Sequence, residues 1–282
     1  MALSEIDRLH DFVDRSERLL VLTGAGCSTE SGIPDYRSPN GEWRRHRPVL
    51  YQQFRRSRRI RQRYWARNFI GWPRMTNARP NPAHRALATF ESLGISSGLI
   101  TQNVDGLHRA AGSVDVVEIH GTTASVICLE CGSRTSRLEL QAVMEESNPG
   151  WDAGDVRFAP DADAAIDDDR ITLFNVPDCG LCGGVLKPDV VFFGENVARA
   201  IVDDCFARVD EAGAMLVVGS SLAVWSGYRF VRAAAERGIP IAIVNVGVTR
   251  GDEHACLKIE KRCGSLLGDV AQRLIGSSHL TG

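Results

Sequence analysis

A chain of 282 residues is long enough to bury a full core and too short for two independent enzymes. Apolar residues make up 44% and charged residues 24%, and a formal net charge of −2 excludes a polycation whose main partner is nucleic acid. No apolar run approaches the ~20 residues that span a bilayer. The opening Met-Ala-Leu-Ser-Glu-Ile-Asp-Arg has neither the apolar stretch of a secretory signal nor the acid-poor character of a transit peptide, so a cytoplasmic location is expected.

In chain order, the first buried strand is expected at Leu19–Leu22. It runs into Thr23-Gly24-Ala25-Gly26-Cys27-Ser28. Glycines at a strand end let backbone N–H groups approach a pyrophosphate closely. The third glycine of the dinucleotide fingerprint is missing, because Thr29 stands there, and no acidic residue follows a second strand in the usual way. A tight strand-to-helix turn accounts for the same residues equally well. Residues 44–63 carry nine arginines. They read as a solvated helical face, with an acidic partner or acyl-CoA phosphates as the other reading.

A helix over Pro82–Leu93 precedes a strand at Leu99–Thr101, which ends in Gln102-Asn103-Val104-Asp105-Gly106-Leu107-His108. Two amides and a carboxylate at a strand end suit ribose hydroxyls and a carboxamide. Val116–Ile119 forms another strand and leads into His120-Gly121. A histidine there is either a structural group or a general base, since imidazole titrates near neutral pH.

Cys128-Leu-Glu-Cys131 and Cys179-Gly-Leu-Cys182 are two C-x-x-C knuckles, each followed by glycine. Two such pairs fit one tetrahedral Zn²⁺ far better than a redox pair or unrelated thiols. Four thiolates leave no place for water or substrate, so this zinc is structural. The gap between the pairs is 47 residues, longer than usual, and residues 152–169 within it carry seven aspartates. That stretch reads as a loop or insertion. An acidic insertion also argues against a DNA-binding zinc finger, and no direct nucleic-acid or membrane partner is expected. Strands at Met215–Val218 and Ile241–Val244, with a helix over Tyr228–Arg237 between them, complete an alternating pattern. The fold class is therefore α/β: a Rossmann-like, doubly wound parallel sheet with a smaller inserted zinc-binding and helical module.

Taken together, these residues resemble the sirtuins over nearly the whole chain. Gly24-Ala25-Gly26-Cys27-Ser28 and Ser31-Gly32-Ile33-Pro34-Asp35-Tyr36-Arg37-Ser38 resemble the family's cofactor loop. The stretch from Thr101 to His108, then His120-Gly121, the two cysteine pairs, Gly219-Ser220-Ser221 and Asn245-Val246-Gly247 follow in the family's order. Lys187 to Glu195 is similar to the stretch lining the acyl-lysine cleft. Tyr36, Ser220-Ser221, Ser226-Gly227-Tyr228-Arg229-Phe230 and the long cysteine gap resemble the class II branch, that of the mitochondrial sirtuin four of animals. Cys27 stands where isoleucine or valine is usual.

The resemblance implies a Rossmann-like core from residues 1–38, 79–121 and 189–282, and a small module from 39–78 and 122–188. It implies an NAD-dependent protein-lysine deacylase that releases nicotinamide and O-acyl-ADP-ribose, with acylated-lysine proteins as partners. NAD and one structural zinc are the implied cofactors. A mono-ADP-ribosyltransferase using the same pocket is the alternative. The implied pyrophosphate contacts are Ala25, Gly26 and Ser220, with Asn245 and Cys263 at the adenosine end, and Gly24, Gly219, Ser221, Val246 and Gly247 are further implied cofactor contacts. Gln102, Asn103 and Asp105 are implied at the nicotinamide ribose and carboxamide, and Asp35, Tyr36 and Arg37 on the loop that closes over the cofactor. His120 is the implied base, with Asn103 also catalytic, and Val191, Phe192, Phe193 and Gly194 line the acyl-lysine cleft. Tyr64 and Arg67 have the spacing of a tyrosine and arginine that hold the acyl carboxylate in sirtuins preferring succinyl and glutaryl groups. Three residues apart on a helix they face one side. The other reading makes them part of an amphipathic helix, with Tyr64 and Trp65 packed and Arg67 solvated.

Overall fold

A computed structural model describes residues 3–35, 48–154, 157–158, 164–166 and 168–278. Tyr36, Arg37, Arg44, Arg45 and Arg47, and Asp155, Asp161, Asp163 and Asp167 of the aspartate-rich stretch, lie outside the described residues.

The apolar runs become strands β1 (Leu19–Thr23), β2 (Ser96–Thr101) and β3 (Val116–Glu118). Three more segments, β4 (Gly121–Cys128), β5 (Arg134–Ser136) and β6 (Leu186–Val190), make a separate antiparallel sheet in the order β5-β4-β6. The chain then returns with β7 (Ala214–Val218), β8 (Ile241–Val244) and β9 (Leu257–Ile259). The main sheet runs β9-β8-β7-β1-β2-β3, and all its neighbours are parallel. The strand order therefore reverses between β1 and β7, where a doubly wound sheet opens its ligand crevice.

Register fixes where that crevice lies. Thr23 pairs with Thr101 on one side and with Val218 on the other. Glu118 pairs with Thr101, Val218 with Val244, and Val244 with Ile259. All six strands thus end level, and the polar motifs begin one or two residues past that line.

Alternate residues face opposite sides of each strand. Val21, Leu99, Leu216 and Val244 pack under α1 (Glu5–Asp14), α4 (Pro82–Ser92) and α9 (Cys263–Ser278). Leu22, Ile100, Val217 and Ile243 pack under α7 (Arg199–Glu211) and α8 (Trp225–Glu236). Local signals set the helix starts. Ser4 and Asp7 cap α1 reciprocally, and Asn81 caps α4 with Pro82 in its first turn.

The small module packs α2 (Tyr51–Arg56), α3 (Arg58–Asn77) and α6 (Arg137–Ser147) around the antiparallel sheet, with Phe54, Trp65, Val126, Met144 and Phe174 in its core. Pro73 lies inside α3 and cannot donate to Phe69; that carbonyl accepts from the Gln141 side chain at 3.4 Å instead. Arg137 is 1% exposed without a carboxylate partner among the described residues. It donates from Nε and Nη2 to Asn68 Oδ1 at 2.9 and 2.8 Å and stacks on Trp72, and burial holds its guanidinium down to about 10. Of the arginine run, Arg55, Arg56, Arg58 and Arg59 are exposed on α2 and α3. Among the described residues no helix is long and apolar enough to cross a membrane.

Candidate functional site

A cavity of about 740 Å³ opens along the line where the strands end. The loop after β1 is one wall. It leaves Gly24 in an extended conformation and winds into a short 3-10 turn over Ala25–Ser31, which Gly32 closes with a left-handed φ of 83°. The glycines are required by the loop opposite. A Cβ on Gly24 would stand 2.7 Å from Ser220 Cβ, and one on Gly26 would stand 2.8 Å from the Gly219 carbonyl oxygen. Gly26 N–H donates to that same oxygen at 2.8 Å. The two loops at the switch point are thus interlocked, which brings Ala25, Gly26, Gly219, Ser220 and Ser221 to one edge of the cavity. A row of backbone N–H groups beside a short helical turn suits a pyrophosphate.

The loop after β2 forms the floor. Asn103 is buried and donates from Nδ2 to the Gly24 carbonyl and to Ser28 Oγ, both at 3.1 Å. Ser28 in turn donates to Asp105 Oδ2 at 2.6 Å, while Asp105 Oδ1 accepts from Leu107 N–H at 2.9 Å. Gln102 Oε1 accepts from Ser220 Oγ at 2.6 Å, so the floor is tied to the β7 loop. These polar groups are already paired with one another, which presents the cavity with a fixed set of amide and carboxylate edges.

His120 stands past β3 on the cavity wall. Nδ1 lies 2.8 Å from the Gln102 carbonyl oxygen and Nε2 2.7 Å from Ser226 Oγ. Burial lowers its affinity for a proton below the ordinary imidazole range, and the nearby Arg229 adds to this, against the opposing Gln102 hydrogen bond. The ring is therefore neutral at pH 7, as a general base requires. Next to it, Gly121 has a φ of 76° and would place a Cβ 2.1 Å from the Asp189 carbonyl, so the chain turns there directly into β4.

The third wall comes from the end of β6. Val191 N–H donates to the His120 carbonyl at 2.8 Å, which fixes Val191, Phe192, Phe193 and Gly194 beside His120. Lys187 is buried and holds Glu195 at 3.0 Å, and Glu195 accepts from Phe192 N–H at 2.9 Å. Asp35, Asn245, Val246 and Cys263 also line the cavity, but Gly24 and Gly247 do not. Tyr64 and Arg67 do not line it either. The Tyr64 ring lies half-buried against Phe192, with centroids 5.2 Å apart, and Arg67 is half-buried on the same helix.

The four knuckle cysteines form a second site away from the cavity. Their sulfurs lie within 4.8 Å of one another, with Cys128 and Cys182 at 3.5 Å and Cys131 and Cys179 at 3.9 Å. Four Zn–S bonds of ~2.3 Å in a tetrahedron put neighbouring sulfurs about 3.8 Å apart, so the set fits zinc. The knuckles are twins. Gly132 N–H donates to the Cys128 carbonyl and Gly183 N–H to the Cys179 carbonyl, and both glycines have φ near +70°.

Sequence reasoning noted Ser226 and Arg229 only as markers of a branch, yet both line the cavity beside His120. Cys27 and His108 were legible only as members of their separate motifs and His84 not at all, yet the three are buried together, with the two rings 4.8 Å apart. Burial pushes His84 down to about 4 and His108 down to about 3. Histidines three residues past Asn81 and at the end of the Asp105 motif carried no signal of their proximity, which only the fold creates.

Comparison with known proteins gives a consistent result. The sequence profile of the Sir2 family matches residues 24–226. An NAD-dependent protein deacetylase of Xanthomonas axonopodis pv. citri is 54% identical over 259 residues, covering 92% of this chain and 88% of the relative. The human mitochondrial NAD-dependent protein lipoamidase sirtuin-4 is 53% identical over 266 residues, covering 93% and 85%. Among solved structures, a Sir2 protein with a p53 peptide and NAD⁺ superposes with a TM-score of 0.77 at 28% identity, covering 98% of this chain and 99% of that one. A Sir2 protein bound to a propionylated peptide gives 0.75 at 29% identity, covering 98% and 99%.

Proposed function

This chain belongs to the Sir2 family and is an NAD-dependent protein-lysine deacylase, and from that premise we propose how its residues divide the work. The observation that carries the reading is the level ending of six parallel strands, which gathers every polar motif around one cavity with a neutral histidine in its wall. Bound NAD would supply a ribose carbon that bonds the acyl oxygen in place of nicotinamide and a ribose hydroxyl that carries the acyl group away.

The protein's part is to bind, orient and move a proton. Ala25 and Gly26, with Ser220, hold the pyrophosphate, and Gly24 keeps the two loops close enough to do so. Gln102, Asn103 and Asp105 hold the nicotinamide ribose and carboxamide. Asn245 and Cys263 take the adenosine end, Ser221 and Val246 line the cavity with them, and Asp35, with Tyr36 and Arg37, belongs to the cofactor contacts. Val191 to Gly194 receive the acylated lysine of a protein substrate beside His120, which takes the proton of a ribose hydroxyl at Nε2. Zinc on Cys128, Cys131, Cys179 and Cys182 holds the small module together and takes no part in the chemistry. Eight cysteines without a disulfide support a reducing compartment, the cytoplasm.

Mass spectrometry of the products from NAD and a panel of acyl-lysine peptides tests the reading. The expected products are free lysine, nicotinamide and O-acyl-ADP-ribose in equal amounts; ADP-ribosylated protein with the acyl-lysine intact would overturn it in favour of a transferase.

The acyl group is proposed to be long or acidic. Tyr64 supports this through its contact with Phe192 in the cleft wall, one helical turn from Arg67 on α3. Arg67→Met is expected to cost about 1.5–3 kcal/mol on glutaryl and hydroxymethylglutaryl peptides, the worth of a charge-assisted hydrogen bond, with acetyl and lipoyl peptides unchanged. An equal loss of kcat/KM on all four peptides, or acetyl as the best substrate, would contradict the carboxylate grip.

A further inference from the structure

Both ring nitrogens of His120 are engaged before any substrate arrives. Nδ1 faces the Gln102 carbonyl oxygen at 2.8 Å. A carbonyl only accepts, so Nδ1 carries the proton, and the neutral ring has its lone pair on Nε2. That lone pair faces Ser226 Oγ at 2.7 Å, so the serine hydroxyl donates to it. The nitrogen that must act as base is therefore capped by a hydroxyl. Ser226 itself lines the cavity, half-buried in the first turn of α8.

The seat of this hydroxyl is built from the same turn. The next residue is Gly227, and a Cβ there would stand 2.5 Å from Gln102 Nε2. The bare Gly227 lets α8 lie directly on the Gln102 side chain, whose Oε1 is fixed by Ser220. Gln102 thus holds one end of the imidazole by its backbone, and α8 packs on Gln102 while holding the other end. Arg229, one turn further along, donates from Nε to the Ser226 carbonyl at 3.3 Å.

We propose that Ser226 is the proton relay between the substrate hydroxyl and His120. The proposal rests on the reading of His120 as the base. The substrate O–H bond breaks as its proton forms a new O–H bond on Ser226 Oγ. In the same movement the original Ser226 proton passes to His120 Nε2. Ser226 stays neutral throughout, the imidazole gains the positive charge, and the substrate oxygen keeps the electron pair. The Gln102 carbonyl supports the imidazolium through Nδ1–H, while the Arg229 charge opposes it and favours return of the proton later along the same path.

The test compares the unaltered protein with Ser226→Ala and Ser226→Thr, using NAD and the best acyl-lysine peptide. Ser226→Ala is expected to lower kcat by at least ~10-fold, the lower end of what positioned proton transfer contributes, with KM for NAD within about twofold. Ser226→Thr, which keeps a hydroxyl, is expected to stay within about threefold of the unaltered protein. In mixtures of H₂O and D₂O the unaltered protein should show a curved, two-proton dependence of kcat that becomes straight in Ser226→Ala. Full activity in Ser226→Ala, an equal loss in Ser226→Thr, or a straight or flat dependence in the unaltered protein each overturns the relay. Failure of the underlying reading looks different, since His120→Ala would then keep near-normal turnover of NAD and peptide.

Discussion

All five residues of β1 are buried, and it pairs on both edges, whereas only Thr123, Val126 and Cys128 of the eight residues in β4 are fully buried. The parallel sheet is covered on two faces by helices, and its strands are held by hydrophobic burial on both sides. The small module has a short sheet, an internal proline in α3, and buried Arg137 and Lys187. A region that small with two buried cations needs a further constraint, and the four-cysteine site supplies it. The comparison separates two jobs. The sheet ends carry the polar chemistry, and the metal-held module presses one wall, Val191 to Gly194, against it.

The largest expected effect follows from removing that constraint. Purified protein should contain one zinc per chain, and Cys131→Ser or a strong chelator should release it. Zinc contributes about 10–16 kcal/mol to folding in small peptides, and less is expected in this larger chain. Hydrogen exchange should then rise sharply over β4, β5, β6 and α6 while β1, β2 and β7 stay protected. Uniform loss of protection would show that the two regions do not fold separately.

His120→Ala strikes the other region. It should lower kcat by ~10²–10⁴-fold, the usual worth of a general base, with zinc content and protection of both sheets unchanged. Because burial depresses the imidazole, the acid limb of kcat/KM in the unaltered protein should lie below the ordinary histidine range near 6.5. Near-normal turnover in the variant would remove His120 from the chemistry.

How much of this was legible in the sequence also differs between the regions. The strands of the main sheet are continuous apolar runs closed by polar turns, so β1, β2, β3, β7 and β8 were expected within a few residues of where they lie. The edge strand β9 is three residues long with Lys258 in its middle, and it carries no such signal. The small sheet was not read at all. β4 runs Gly-Thr-Thr-Ala-Ser before Val126, its first large apolar residue, so it shows neither a buried run nor an alternation, and β6 contains Pro188, which reads as a break and is tolerated because β6 is an edge strand. Arg137 looks like any surface arginine until Asn68, Trp65 and Trp72 enclose it. In the site, motifs at strand ends announced themselves, whereas Ser226 and Arg229 acquire meaning only because α8 packs on Gln102.

A smaller effect separates the regions by acidity. His84 and His108 belong to the sheet side and are buried neutral, down to about 4 and about 3. An unfolded chain takes up those protons near pH 6.5 and the folded chain does not. The stability they contribute is fully present above about 6.5 and is lost as pH falls towards 4 and then 3. The urea midpoint read from protection of β1 and β2 should fall steadily across that window. A midpoint constant from pH 7 to 4 would mean that the buried pair is already protonated or solvated.

The central claim, that cofactor binding belongs to the strand ends of the parallel sheet, is tested most directly by hydrogen exchange with and without saturating NAD. Protection is expected at residues 24–28, 101–106, 219–222 and 245–247, which follow four different strands, with no change over either cysteine knuckle. Protection confined to the small module, or absent from any of those four loops, would contradict the account.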